Sequence, residues 1–307
     1  MNITRKKQGS SFIYYQNSKI VDKGILERIN KLRIPPNWVN VKVTTNPTDY
    51  LQATGEDEKG RTQYIYHPMW VELSKIEKYA RLARFDRKLY LLTRDVHKRL
   101  SGKIDLSDHE YLIALLFRIL SKTHARIGNE CYADENNTYG LTTLLKKHMT
   151  ISSGGTISFS FTGKKGVEQN LSFRDSVSLK ALKELRKLKG ERLFKTLTGE
   201  PIKSIEMNEY LKKIMGEDFT CKDFRTHASN TLFIKILCKK EAPTSMTASK
   251  RLLNQVYDEV AEKLGHTRAI SKKSYVMPII GERFLENPSQ FIGRKCDKVF
   301  KHLLNEF

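Results

Sequence analysis

The chain has 307 residues, room for two domains and a sizeable core. Its 55 Lys+Arg against 34 Asp+Glu leave a formal net charge of +21, which points to a polyanionic partner. An anionic membrane is the competing partner, but no basic amphipathic anchor or lipidation motif is present, and the longest strongly apolar run, "YLIALLF", is too short to span a bilayer.

The N-terminal "MNITRKKQGSSFIYY" has basic residues but no apolar stretch of the kind a secretory signal needs. Cys131, Cys221, Cys238 and Cys296 lie far apart without C-x-x-C spacing. That pattern argues against disulfides and zinc, and an intracellular protein is the default. The runs "IPPNWVNVKVTT" and "RTQYIYHPMWV" are β-branched and aromatic, broken by Pro, Gly and Asn, and predict a small β-rich module. Helical signals dominate from about residue 85. A linker is expected within 75–90, although "SKIEKYARLARFDRK" itself reads as helical and could be the connector.

"SDHEYLIALLFRILSKTHARIG" pairs Ser107 with Glu110 in a capping-box pattern and carries Leu112, Leu115, Leu116, Ile119 and Leu120 at helical spacing. This predicts a helix over 107–127, closed by Arg126. Ile157, Phe159 and Phe161 alternate with polar residues, and Val167, Leu171 and Phe173 do so again after "TGKKG". The pattern is a β-hairpin with two lysines at its turn. Helices are expected at about 175–189, 204–215, 223–239 and 247–264, the last stopped by Gly265.

"KLGHTRAISKKSYVM" poses the functional question, because it holds His266 and Tyr275. A tyrosine that attacks a phosphodiester must lose a proton whose ordinary pKa is about 10. Cations must meet the charge gathering on the non-bridging oxygens, and the leaving alkoxide needs a proton donor. A metal-free site therefore wants a tyrosine, two arginines, a histidine or lysine, and an acid. Candidates are Arg126, Arg225 in the first turn of its helix, Lys164 at the hairpin turn, and His266 in the loop after Gly265. Each has an ordinary reading when taken singly: solvated arginines, a solvated turn lysine, a capping histidine, a packing tyrosine. No single residue carries the case.

The order of the blocks does. "IPPNWVNV", "LQATGEDEKGRTQYIYHPMW", "RIGNECYADENNTYGLTTLLKKH", "FTGKKG", "KDFRTHAS" and "GHTRAISKKSYV" together resemble the small type IB DNA topoisomerases of poxviruses, giant viruses and bacteria. The resemblance covers nearly the whole chain. It implies an α+β protein: a β-rich N-terminal DNA-binding domain, residues 1–80, and a larger, mainly α-helical catalytic domain, residues 81–307, of the topoisomerase and tyrosine-recombinase kind with a β-hairpin.

Carried over by position, the resemblance makes Tyr275 the nucleophile that forms a 3′-phosphotyrosyl bond. Arg126 and Arg225 hold the scissile phosphate, and His266 donates to a non-bridging oxygen. Lys164 is the general acid to the 5′-oxygen, and Lys222 is a second active-site lysine. Lys59, Arg61, Gln63, Tyr64 and Tyr66 match a strand that contacts DNA in the major groove, and Tyr132 a further DNA contact. The implied partner is duplex DNA, clamped by a monomer, with no metal, cofactor or ATP, and relaxation of positive and negative supercoils by rotation about the intact strand. The implied location is with DNA inside the cell: viral particle or host cytoplasm if the source is viral, bacterial cytoplasm if it is bacterial. Bacterial members commonly carry Asn where this chain has His266, which points to the viral side and a giant-virus source. Lys165 replaces a poxviral Asp and Asn129 a basic DNA contact, which bears on target recognition rather than chemistry. The alternatives are a tyrosine recombinase, where His usually stands at the position of Lys222, and a non-catalytic DNA-binding relative.

Overall fold

The computed structural model describes residues 2–130, 133 and 137–307. The chain divides into two compact units, Met1–Lys78 and Tyr79–Phe307.

The first unit is built on one antiparallel sheet of six strands in the order β3-β2-β1-β4-β5-β6. The strands are β1 (Ile3–Gln8), β2 (Ser11–Gln16), β3 (Lys19–Ile20), β4 (Val39–Val43), β5 (Leu51–Glu56) and β6 (Thr62–Tyr66). Asn17 and Ser18 both have positive φ (49° and 65°) and join β2 to β3, the tight two-residue turn whose twist matches its strands. Helix α1 (Lys23–Lys31) is capped by Asp22, which accepts from the Ile25 N–H at 2.8 Å. Its Ile29 is buried with Ile3, Tyr14, Val41, Val43 and Ala53 to form a small core. The opening residues are thus a hairpin, one that the alternation in "ITRKKQGSSFIYYQ" permits but its lysines and polar residues obscure.

One expectation is corrected here. "HPMWV" does not extend strand β6. Pro68 opens the 33-residue helix α2 (Pro68–Leu100), consistent with the liking of proline for a first helical turn, where its missing N–H costs nothing. The segment 75–90 is part of this helix, so the helical connector read in "SKIEKYARLARFDRK" stands where a linker was the other expectation.

In the second unit, helix α3 (His109–Thr123) is buried on nearly every side, from Tyr111 to Leu120. Such a helix is the centre of a core rather than a surface element. It begins and ends differently from the sequence expectation. Asp108, not Ser107, is the cap and accepts from the Glu110 N–H at 2.8 Å, while the Ser107 hydroxyl turns back to Asp105. His124 takes a left-handed conformation (φ 52°) and ends the helix. Arg126 therefore lies beyond the helix. Its segment pairs with another loop: Leu141 N–H donates to Arg126 O at 2.8 Å, and Thr142 N–H to Ile127 O at 2.7 Å. The two strands of backbone run so close that a β-carbon on Gly140 would fall 2.3 Å from the Gly128 nitrogen.

A three-stranded sheet, β7 (Met149–Ile151), β8 (Ile157–Thr162) and β9 (Glu168–Phe173), follows. Ile157, Phe159 and Phe161 face the core as expected. On β9 the expected inward position of Val167 is wrong: Val167 belongs to the turn and is exposed, and Gln169 takes the buried place opposite Phe161. Helices α4 (Ser176–Lys187), α5 (Ser204–Met215), α6 (Cys221–Leu237) and α7 (Met246–Leu264) come next, then α8 (Pro278–Glu286) and α9 (Cys296–Leu304). Two apolar clusters form. One gathers α3, the small sheet, α4 and α5. The other gathers the C-terminal half of α6 with α7, α8 and α9. Helix α6 belongs to both: Cys221 and Phe224 face the first, and Phe233, Ile234 and Leu237 the second.

Candidate active site

Four of the residues singled out in the second unit, Arg126, Arg225, His266 and Tyr275, meet where α6 passes between the two clusters. Helix α6 starts at Cys221, earlier than expected, because Asp223 reaches back to the Thr220 N–H at 2.7 Å. Arg225 therefore sits in the second turn. It is only 5% exposed, and it donates from Nη1 to His124 O at 2.8 Å and from Nη2 to Leu264 O. The left-handed end of α3 and the last turn of α7 thus hold one guanidinium from two sides.

Helix α7 ends in a double-bonded C-terminal turn: His266 N–H donates to Ala261 O at 3.0 Å and Gly265 N–H to Glu262 O at 3.1 Å, with Gly265 at φ +59°. A β-carbon there would also strike Gln169 Oε1 at 2.5 Å. Gly265 is therefore fixed twice, by its backbone and by the hairpin strand that abuts it. The turn presents Gly265 O to Arg126 Nη1 at 3.2 Å and places His266 Nδ1 3.1 Å from Arg225 Nη2. His266 Nε2 lies 2.9 Å from Ser271 Oγ.

Tyr275 ends a wide helical turn, Ser271–Tyr275, closed by Val276 N–H donating to Ser271 O at 3.0 Å. The Tyr275 ring lies 5.0 Å from that of His266, and the Arg225 guanidinium carbon lies 5.7 Å from its centroid. Asn230, one turn and a little beyond Arg225 on α6, ties this segment down. Its amide donates to Tyr275 O at 2.9 Å and to Thr226 O at 2.8 Å, and its oxygen accepts from Met277 N–H at 2.8 Å.

Among the described residues, Arg126 and Arg225 have no carboxylate within ion-pair distance, although Arg81, Arg84, Arg99 and Arg118 of the same unit all do. The site is thus a concentration of positive charge with no carboxylate counter-ion among the described residues, and burial is the main cause that lowers the pKa values there. Burial, then the neighbouring Arg126, push Arg225 down from 12.5 to about 10. Burial lowers Arg126 as well. Burial, with Arg225 and Arg126 beside it, brings His266 down to about 4, so its imidazole is neutral at pH 7. No group of three or more His, Cys, Asp or Glu that could hold a metal occurs among the described residues.

The structure thus brings Arg126, Arg225, His266 and Tyr275 together. Lys164 stands apart, exposed at the hairpin tip, in the turn Gly163–Val167 closed by Gly163 N–H donating to Val167 O at 2.8 Å. Lys165, next to it, has φ +66°. The hairpin still points at the site, since its Gln169 abuts Gly265. Lys222 is exposed in the first turn of α6, just before Arg225. Sequence reasoning missed Asn230, Ser271, Gln169 and the carbonyl of His124. Small polar residues inside helical or turn patterns carry no signal of which buried group they will meet.

In the first unit, Gln63, Tyr64 and Tyr66 lie on β6, and Lys59 and Arg61 in the turn before it. Tyr64 and Tyr66, exposed by 51% and 39%, stack at 6.0 Å between ring centroids. Asp57 bridges Arg61 at 2.5 Å and accepts from Gln63 at 3.0 Å, and the Arg61 hydrogen bond holds its carboxyl down at about 2. Tyr132 lies outside the described residues.

The family model of the eukaryotic DNA topoisomerase I catalytic core matches residues 69–281. The chain belongs to the type IB DNA topoisomerases. The model of the bacterial DNA topoisomerase IB N-terminal domain matches residues 9–57. DNA topoisomerase 1B of Acanthamoeba polyphaga mimivirus is 36% identical over 98% of this chain and 93% of its own length. DNA topoisomerase 1B of Vaccinia virus (strain Copenhagen) is 26% identical over 85% of this chain and 82% of its own. These matches place this topoisomerase with the small viral and bacterial enzymes, an isomerase as the motif order implied. Among solved structures, XerH site-specific recombinase bound to palindromic difH substrate, in its post-cleavage complex, aligns over 76% of this chain and 58% of that one at 16% identity and a TM-score of 0.39. No helix of the topoisomerase, among the described residues, is long and apolar enough to cross a membrane.

Proposed function

We propose that this type IB topoisomerase nicks duplex DNA by attack of the Tyr275 oxygen on a phosphodiester, the phenol proton passing to solvent water, forming a 3′-phosphotyrosyl bond and releasing a 5′-hydroxyl. Arg126 and Arg225 hold the non-bridging oxygens. Neutral His266 donates a hydrogen bond to one of them. Lys164, swinging in on its hairpin, gives the 5′-oxygen its proton, and Lys222 adds a second lysine to the pocket. The free end rotates about the intact strand, so supercoils of either sign relax. The 5′-hydroxyl then attacks the phosphotyrosine and reseals the strand. The intermediate keeps the energy of the broken bond, so no ATP is needed, and fixed cations do the work of the metal clamp of other phosphoryl-transfer sites.

The observation that carries this reading is that Arg225, beside the Tyr275 ring, and Arg126, on the Gly265 carbonyl next to His266, have no carboxylate partner among the described residues. Uncompensated buried cations are costly. A phosphate entering the pocket supplies the missing anion. In the first unit, the exposed Tyr64–Tyr66 pair with Gln63, Lys59 and Arg61 supports DNA contact through β6. Tyr132 is assigned a DNA contact by its motif position. The enzyme works as a monomer clamped on duplex DNA inside the cell, with phosphate contacts that make binding steeply salt-dependent.

The decisive experiment traps the covalent adduct on plasmid DNA in EDTA and compares it with Tyr275→Phe. The adduct should form without metal and vanish in the variant. A nicking Tyr275→Phe would end the assignment. A need for paired sites and a tetramer would favour recombination instead.

A further inference from the structure

His266 has two ring nitrogens, and as a neutral imidazole it carries one proton. Its neighbours decide where. Arg225 Nη2 lies 3.1 Å from Nδ1, and a guanidinium can only donate. With that donor facing it, Nδ1 is assigned as the acceptor and Nε2 as the protonated nitrogen. From there it is donated to Ser271 Oγ at 2.9 Å.

Ser271 is fully buried. A buried hydroxyl is unfavourable unless hydrogen-bonded, so alanine would be the simpler residue if packing alone were needed. Its backbone matters too. Ser271 N–H donates to Thr267 O at 2.9 Å, and Ser271 O accepts from Val276 N–H at 3.0 Å, across the turn that carries Tyr275. One residue is thus bonded to the imidazole by its side chain and to both sides of the Tyr275 turn by its main chain. None of the chemistry assigned above uses it.

We propose that Ser271 is a positioning residue for His266. It holds the imidazole plane and its Nε2–H in register with the turn that carries Tyr275, until a phosphate oxygen shares or replaces that bond. This inference rests on the reading of His266 as a phosphate donor. Tyr275 is thereby coupled to His266 through a hydroxyl as well as through the peptide chain, so the nucleophile and the phosphate donor are set by one local unit.

The test is a double-mutant cycle in single-turnover cleavage, with Ser271→Ala, His266→Ala, both together, and Ser271→Thr. Ser271→Ala should slow cleavage roughly fivefold to tenfold, about the worth of one neutral hydrogen bond, with DNA binding unchanged. Ser271→Thr, which keeps the hydroxyl, should recover most of the rate. The double variant should be no slower than His266→Ala alone, because Ser271 acts through the imidazole. In free protein with 15N-labelled histidine, the His266 Nε2–H should exchange with water faster in Ser271→Ala. Wild-type cleavage by Ser271→Ala, or slowing that adds to that of His266→Ala, overturns the proposal. If His266→Ala itself cleaves at the wild-type rate, the role of His266 falls instead. That case is told apart by the exchange measurement, which would still accelerate in Ser271→Ala.

Discussion

Replacing Arg225 by alanine separates catalysis from stability in an informative way. The guanidinium satisfies His124 O and Leu264 O. Its loss orphans two carbonyls, at about 1–3 kcal/mol each if both stay dry. It also removes a buried cation that has no counter-ion. The fall of its pKa from 12.5 to about 10 corresponds to roughly 3 kcal/mol of unfavourable surroundings for the charged form. The two effects oppose each other at similar size, so Arg225→Ala should unfold within about 3 kcal/mol of the wild type. Cleavage has no such offset. An oxyanion donor lost from a prearranged site typically costs about 100- to 1,000-fold. Urea unfolding and single-turnover cleavage of a suicide duplex, on the same preparation, read both numbers. Arg225→Lys should fall between, since one ammonium keeps the charge but cannot span His124 O, Leu264 O and His266. Cleavage by Arg225→Ala at the wild-type rate would refute the role of Arg225. A fully unfolded variant would refute the balance drawn from its burial.

Other outcomes follow from the same site. Asn230→Ala removes the bonds to Tyr275 O and Met277 N–H, and should slow cleavage about tenfold or more while DNA affinity, measured by gel shift, holds. His266 has a folded pKa of about 4, below its ordinary 6.5, so between these values the unfolded chain binds more protons. Stability contributed by neutral His266 is complete above 6.5 and is lost as pH falls towards 4. His266→Gln should flatten that part of the pH–stability curve, leaving the same-signed parts from His124 and His148, which burial also lowers. Lys59→Ala or Tyr64→Ala should blur the choice of cleavage sites on a sequenced plasmid while single-turnover chemistry persists. An unchanged cleavage map would count against a role for β6.

Sequence patterning reached the long helices well, because their apolar spacing and their caps are local. Ser204–Met215 and the stop at Gly265 needed no tertiary knowledge. The ends of α3 were misread because Asp108 and Ser107 are both competent caps, and packing chose between them. Arg126 was consequently placed on a helix, although it lies on a loop fastened to residues 140–142. The four convergent side chains were legible only as an ordered set of motifs. Their convergence depends on the carbonyls of His124, Leu264 and Gly265, and backbone acceptors leave no mark on residue identity. Gln169 hid for a related reason: it shares the inward register of Leu171 and Phe173, but its polarity masks the buried position it fills beside Gly265.

On the mechanism proposed above, the wide turn Ser271–Tyr275 makes chain length itself a catalytic variable. Its closing bond spans five residues rather than four, so it holds one more residue than an ordinary helical turn. Deleting Lys272, an exposed side chain, would invite the turn to relax to the common form. Each residue of an α-helix turns the chain by about 100°, so the phenol would be carried away from Arg225 although every catalytic side chain was still encoded. Such a deletion should fold, bind DNA and form no covalent adduct. The nine-position step from His266 to Tyr275 is then as much a part of the enzyme's equipment as the residues at its two ends.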